Sequence, residues 1–221
     1  RSPDTIRRYA AELVRFLRSY GVDALVVACN TMSAVALESI RQCAEGVPLF
    51  DVLSPTVAQA LRWTAGRIGV IGTRATIASG IYERLLRKEA DTPLSIYSQP
   101  CPLFVPLVEE GWSEHPVAEQ VAEEYLAPLR AAGVDTLILG CTHYPLLLPV
   151  LQRVMPNCRF VDSGQALAER FGHLQEIDPE GPPPSLRLLL TDTAGPTVEY
   201  ILRRLELTPA EVRQVSVHGD D

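Results

Sequence analysis

The chain is predicted to be an α/β protein of two pseudo-equivalent lobes, each a mainly parallel sheet flanked by helices, with its site in the cleft between them. Three observations predict this. Short apolar runs without polar alternation recur between amphipathic stretches of helical length, as expected of parallel strands buried on both faces. One pattern occurs twice, GVDALVVACNT at 21–31 and GVDTLILGCTH at 133–143, so two halves share a plan. In both copies the apolar run ends in a cysteine followed by small polar residues, at the carboxyl end of a strand where open α/β sheets bind ligands.

The elements follow in order. Ser2, Pro3 and Asp4 make a helix start, with Ile6, Tyr9, Ala10, Leu13 and Leu17 on one face and Gly21 closing it. A βαβ alternation that opens on a helix predicts a strand before Arg1, in a segment this sequence does not contain. Leu25 to Val27 should be a central strand, with a helix after Cys29 to about Cys43 and a strand over 47–52. Ser54 and Pro55 are expected to cap and open the next helix, ending near Gly66. The run 67–73 is an apolar strand ending in Gly72 and Thr73, with Thr76 one turn on; hydroxyls and N–H groups there suit an anion, or ordinary capping.

A strand over 94–100 leads into CPLFVPLVEEG, which carries Cys101 between prolines and Glu109 near its end. An amphipathic helix over 116–132 feeds the second repeat, where Leu137 to Leu139 is the other central strand. Pro145 then opens a helix, 159–162 is a strand, and Ser163 caps a helix. The Pro- and Gly-dense 176–185 reads as a linker, followed by a final core strand over 186–192, a helix near 195–205 and a short strand in VRQVSV. The expected division places 1–53 and 166–221 in the first lobe and 54–165 in the second, so that the chain crosses twice and forms a hinge.

Composition narrows the function. With 221 residues, 47% of them apolar, there is material for two compact cores. The apolar runs are too short to cross a bilayer and no signal peptide is visible, so a soluble cytoplasmic protein is expected. Against 20 basic residues stand 27 acidic ones, a net charge of −7 without a basic stripe, which argues against nucleic acid. Five cysteines, an odd number without CxxC spacing, suggest neither a disulfide framework nor a zinc site. The one lysine, Lys88, lies at a helix end, which disfavours pyridoxal phosphate held as a Schiff base. No Walker loop and no GxGxxG calls for a nucleotide. No cofactor is expected.

The chemistry then rests on Cys29 and Cys141. A cysteine after an apolar run is often a small core residue, but packing gives no reason to repeat it with its polar neighbours Asn30 and Thr31, or Thr142 and His143. Two thiols facing each other across a cleft could remove a proton from one side of a carbon and return one from the other, which is racemisation or epimerisation. Hydroxyl and amide donors at Asn30, Thr31, Thr73, Thr76 and Thr142 would favour an anionic substrate. His143 could orient the Cys141 thiol or exchange its proton, or be bonded locally within a turn.

The motifs CNTMSA, IGVIGTRAT, CPLFVPLVEEG, LILGCTHYPLL and the later VDSG together resemble glutamate racemases, from Arg1 nearly to the C-terminus. The resemblance implies cofactor-independent interconversion of L- and D-glutamate, supplying D-glutamate for peptidoglycan. It makes Cys29 and Cys141 the two bases, sets Asn30, Thr31, Thr73, Thr76, Thr142 and His143 on the substrate or beside it, and leaves Glu109 to assist from behind. Small-molecule glutamate is the partner implied, and a homodimer is left open. CNT or GCT alone would equally fit aspartate or hydantoin racemases. The family pattern also carries a strand with an Asp-Ser-Gly loop, and a Pro-Tyr-Gly segment, ahead of the first helix here; Asp162, Ser163 and Gly164 occupy a different family position. If those segments are lacking, a catalytically silent form or a small-anion binding protein is the alternative. A thiol redox protein is disfavoured by the missing CxxC.

Overall fold

Local sequence sets the first unit. In the structure, a computed structural model that describes residues 2–172 and 185–217, helix α1 spans Pro3–Arg18 and is capped by Ser2, whose hydroxyl accepts from the Thr5 N–H at 3.3 Å. Gly21 turns the chain at φ +68°, a conformation that costs glycine little. Strand β1 (Leu25–Val27), helix α2 (Asn30–Ala44) and strand β2 (Leu49–Asp51) follow, and β1 pairs with β2 in parallel. Ile6, Ala10 and Val14 of α1 pack on Leu25, Ala36, Ile40 and Ala44. The expectation that β1 is central and buried on both faces does not hold. Among the described residues it pairs with β2 alone, and Val26 is 50% exposed.

The second unit holds the larger sheet. Helix α3 (Leu53–Trp63) leads to β3 (Arg67–Gly72), α4 (Arg74–Ala78), α5 (Ile81–Glu89), β4 (Ser95–Pro100), α6 (Phe104–Glu109), α7 (Pro116–Ala131) and β5 (Thr136–Gly140). A 3₁₀ turn at Tyr144–Leu147, α8 (Leu148–Val154), β6 (Arg159–Asp162) and α9 (Ser163–Gly172) complete it. Ser54 does not cap this helix, which begins two residues before Pro55 with Val52 at the cap position; the Asp51 carboxylate accepts from the Leu53 N–H at 2.8 Å.

Strands β4, β3, β5 and β6 form one parallel sheet in that order, and all five residues of β5 are buried. Alternation along β5 sends Leu137 and Leu139 to one face, with Phe104, Leu126, Tyr144 and Leu151, and Ile138 to the other, with Val57, Ile68, Leu86 and Val161. Burial of each such side chain is worth roughly 1.5–3 kcal/mol. Asp135, the acidic residue of the second repeat, locks the sheet's lower end. Partial burial would raise its pKa, but bonds from the Thr64 and Thr136 hydroxyls and the Arg67 and Ala65 N–H groups outweigh that and hold it below the usual carboxylate range. At the upper end, a Cβ on Gly140 would stand 2.6 Å from the Ile71 carbonyl oxygen, so β3 and β5 can approach there only with glycine.

Beyond residue 184, β7 (Arg187–Leu190), α10 (Pro196–Arg204) and β8 (Glu211–Gln214) form a third unit in which β7 and β8 pair in parallel. The strand expected to be a final core strand is only partly buried, with Leu186 39% exposed, because among the described residues its sheet has two strands. Tyr200 donates to the Ser113 hydroxyl at 3.2 Å, Arg204 pairs with Glu114 at 3.1 Å, and Arg213 donates to the Tyr20 hydroxyl at 2.5 Å, tying this unit to both others. The linker read at 176–185 lies, except for Ser185, outside the described residues. Among those described, no helix is long and apolar enough to cross a membrane.

Candidate active site

The repeat places its cysteines at equivalent points. Cys29 leaves β1 in an extended conformation and caps α2, its sulfur accepting from the Met32 N–H at 3.5 Å. Cys141 directly follows Gly140 of β5 and is buried, while Cys29 is half-buried. Behind Cys141 the turn is fixed from below: the Tyr144 N–H bonds the Cys141 carbonyl at 3.1 Å, the Tyr144 hydroxyl donates to the Cys101 carbonyl at 2.8 Å, and Phe104 meets the Tyr144 ring edge-on.

Burial pushes the Cys141 thiol up to about 11. The backbone N–H groups of His143 and Tyr144 pull in the opposite direction, as expected beside a helical turn, but do not overcome it. Negative charge on Cys29, and more weakly on Glu109, raises it further, so the two sulfurs lie within electrostatic reach of each other. The sign gives an expected outcome. Below that value the thiolate fraction grows about tenfold per pH unit, so alkylation of Cys141 by iodoacetamide, followed by peptide mass spectrometry, should rise steeply from pH 7 to 10 and level only near 11.

His143 lies between two of the predicted residues. Its Nδ1 is 3.9 Å from the Cys141 sulfur and its Nε2 is 3.5 Å from Glu109 Oε1, so thiol, imidazole and carboxylate form a line. On the other side, the hydroxyls of Thr31, Thr73 and Thr76 form a triangle with edges of 2.9, 3.0 and 3.0 Å. Thr73 also caps α4 through the Thr76 N–H at 3.2 Å. The capping holds both hydroxyls beside Thr31 at the start of α2. Thr142 is exposed at the turn and joins neither group.

Asn30 carries long-range partners that its place in the sequence does not reveal. Its side chain is buried, with its carbonyl accepting from the Tyr82 hydroxyl and its amide donating to Ser163 Oγ at 2.9 Å. Sequence reading missed Tyr82, which carries no motif in GIYERLL, and took Ser163 only as a helix start. Cys101 is fully buried and its thiol is pushed far upward by that burial, which leaves it protonated. The one lysine, Lys88, is exposed near the end of α5. Cavities of about 390 and 560 Å³, lined by residues including Gln59 and Glu169, and Arg7 and Arg74, touch neither Cys29 nor Cys141. Among the described residues, no cluster of three His, Cys, Asp or Glu side chains suits a metal ion.

Residues 1–171 match the family described as Asp/Glu/Hydantoin racemase. The chain is 48% identical over 169 residues to the glutamate racemase of Persephonella marina, and 45% identical over 176 residues to that of Chlorobaculum tepidum. The matches cover 76% and 79% of this chain and 64% of each relative, somewhat under two thirds of their length. Among solved structures, the glutamate racemase of Francisella tularensis in complex with D-glutamate superposes with a TM-score of 0.88 at 30% identity, covering 100% of this chain and 83% of that one. The Aquifex pyrophilus glutamate racemase superposes with a TM-score of 0.76 at 41% identity, over 96% and 82%. A match over most of the chain, with curated relatives above 40% identity, establishes the conclusion that this protein belongs to the Asp/Glu/Hydantoin racemase family.

Proposed function

We propose that this protein interconverts L- and D-glutamate, with Cys29 and Cys141 as opposed acid/base groups and no cofactor, and that its D-glutamate enters peptidoglycan synthesis. The observation that carries the reading is the placement of two cysteines at equivalent points, each just beyond the carboxyl end of a repeated strand and before a helical turn. The choice of glutamate rests on the relatives, which are named for that substrate.

In one direction a Cys29 thiolate takes the α-proton. The C–H bond breaks, an S–H bond forms, and the electron pair left on carbon spreads into the α-carboxylate. Cys141, held as the thiol at neutral pH by burial, gives its proton to the opposite face and becomes the thiolate. The reverse direction exchanges the roles. Stabilising the carbanion requires donors aimed at the substrate carboxylates, and the Thr31, Thr73 and Thr76 hydroxyls with Thr142 are the groups proposed to supply them. His143, backed by Glu109, is proposed to carry the Cys141 proton in and out.

Incubating the protein in D₂O with each enantiomer of glutamate and aspartate, and with a 5-substituted hydantoin, tests substrate and reaction together by NMR. Deuterium should enter the α-position of both glutamate enantiomers faster than that of any other compound. Preferred exchange of aspartate or the hydantoin would transfer the activity to that substrate. Exchange of none of them would overturn the reading.

A further inference from the structure

Among the buried polar groups that the mechanism does not use is the Tyr82 hydroxyl, in a side chain only 3% exposed. It donates to Asn30 Oδ1, and Asn30 Nδ2 donates to Ser163 Oγ at 2.9 Å. Asn30 and Ser163 are each 1% exposed, so the three side chains satisfy one another away from water. They come from distant segments: Asn30 opens α2 next to Cys29, Tyr82 lies on α5, and Ser163 opens α9 at the end of β6.

The geometry around Tyr82 gives this network its meaning. A Cβ on Gly140 would stand 3.5 Å from the Tyr82 ring, so the ring lies against the residue that precedes Cys141. The same side chain thus touches the backbone beside one cysteine and bonds the residue beside the other. Ser163 adds a second strut, because β6 is hydrogen-bonded to β5, the strand that delivers Cys141. Burial also raises the Tyr82 phenol far above its ordinary range, so it stays a donor at any working pH.

We propose that Tyr82 and Ser163 are positioning residues that act through Asn30 to set the distance between Cys29 and Cys141. This rests on the two-base reading above. Two opposed bases must both reach one carbon, and a displacement near 1 Å can cost about 100-fold in rate. The hydrogen bonds of Tyr82 and Ser163 go to Asn30 and not to either sulfur. At Asn30 the first unit meets the second through two bonds to one amide, beside the Thr31 contacts with Thr73 and Thr76 and the packing of Ala75 on the first core, so hydrogen-bond geometry helps to set the gap.

The test uses Y82F, which keeps the ring against Gly140 and removes only the hydroxyl, and S163A. Two readouts are taken. In the first, a short bis-electrophile that joins neighbouring thiols is applied to wild type and variants, and the yield of the Cys29–Cys141 link is measured by peptide mass spectrometry. Each variant should lose several-fold in yield while Cys43 and Cys158 react as in wild type. In the second, kcat for glutamate should fall on the order of 10-fold with KM within about twofold, and α-deuterium exchange should slow more for the enantiomer served by Cys29. That asymmetry is not expected of a simple loss of stability. Wild-type link yield together with equal slowing of both enantiomers would overturn the proposal. Wild-type protein inactive on glutamate but with variant link yields reduced would instead refute the catalytic reading and leave the positioning role standing.

Discussion

Serine in place of Cys29 or Cys141 should reduce racemisation by roughly 10²- to 10⁴-fold, the range that one positioned acid/base group contributes. The substitution is nearly isosteric, but a serine hydroxyl is a far weaker acid than a thiol and cannot serve as the thiolate. The two variants should not be equivalent. With Cys141 replaced, Cys29 can still take the α-proton of the enantiomer it faces, so exchange or elimination survives for that enantiomer alone; with Cys29 replaced, the other enantiomer keeps it. Chiral chromatography and NMR of the α-deuterium, on matched samples of each variant, read both effects. Survival of inversion in both variants refutes the two-base mechanism, and equal loss of exchange for both enantiomers refutes the assignment of one sulfur to each face. The burial that raises the Cys141 thiol to about 11 keeps it protonated at neutral pH, as the proton donor of the proposed mechanism must be.

Phe104→Ala should cost about 3–5 kcal/mol of stability. Phe104 is fully buried and lies edge-on to both Tyr125 and Tyr144, with ring centroids 5.4 and 5.2 Å away. Removing it opens a cavity under the 3₁₀ turn and frees the Tyr144 ring, whose hydroxyl reaches the Cys101 carbonyl. The turn that fixes Cys141 would therefore loosen with the core. Urea denaturation followed by circular dichroism measures the loss, and a midpoint close to wild type would show that neighbouring side chains refill the space. A drop in kcat larger than the stability loss explains, measured well below the transition, would report the loosened turn.

Much of this was legible in the sequence, and the parts that were not share a cause. The repeat located both cysteines at strand ends, because an apolar run followed by a cysteine and a helix start is a local signal. Leu137 to Leu139 reads correctly as a doubly covered strand, whereas the same pattern at Leu25 to Val27 does not, since coverage depends on which strands lie beside it. Ser54 looked like a cap from its type, but the helix begins at Leu53, where the Asp51 carboxylate takes the first N–H, so Ser54 lies inside it. Asn30 was read as a donor to ligand from its place next to Cys29. Its partners Tyr82 and Ser163 lie 52 and 133 residues away, and nothing in the local pattern points to them. Long-range polar pairings of this kind leave no periodicity to read.

The two reactive segments differ in how they are braced. Among the described residues, Cys141 follows a strand flanked on both edges inside a four-stranded sheet, while Cys29 follows a strand paired on one edge, with one residue half open to water. Small paired ribbons open more readily than the interiors of larger sheets. Amide protons around residues 25–27 should therefore trade with solvent long before those around 136–140, and the fluctuating wall of the proposed active site is the one that Cys29 occupies.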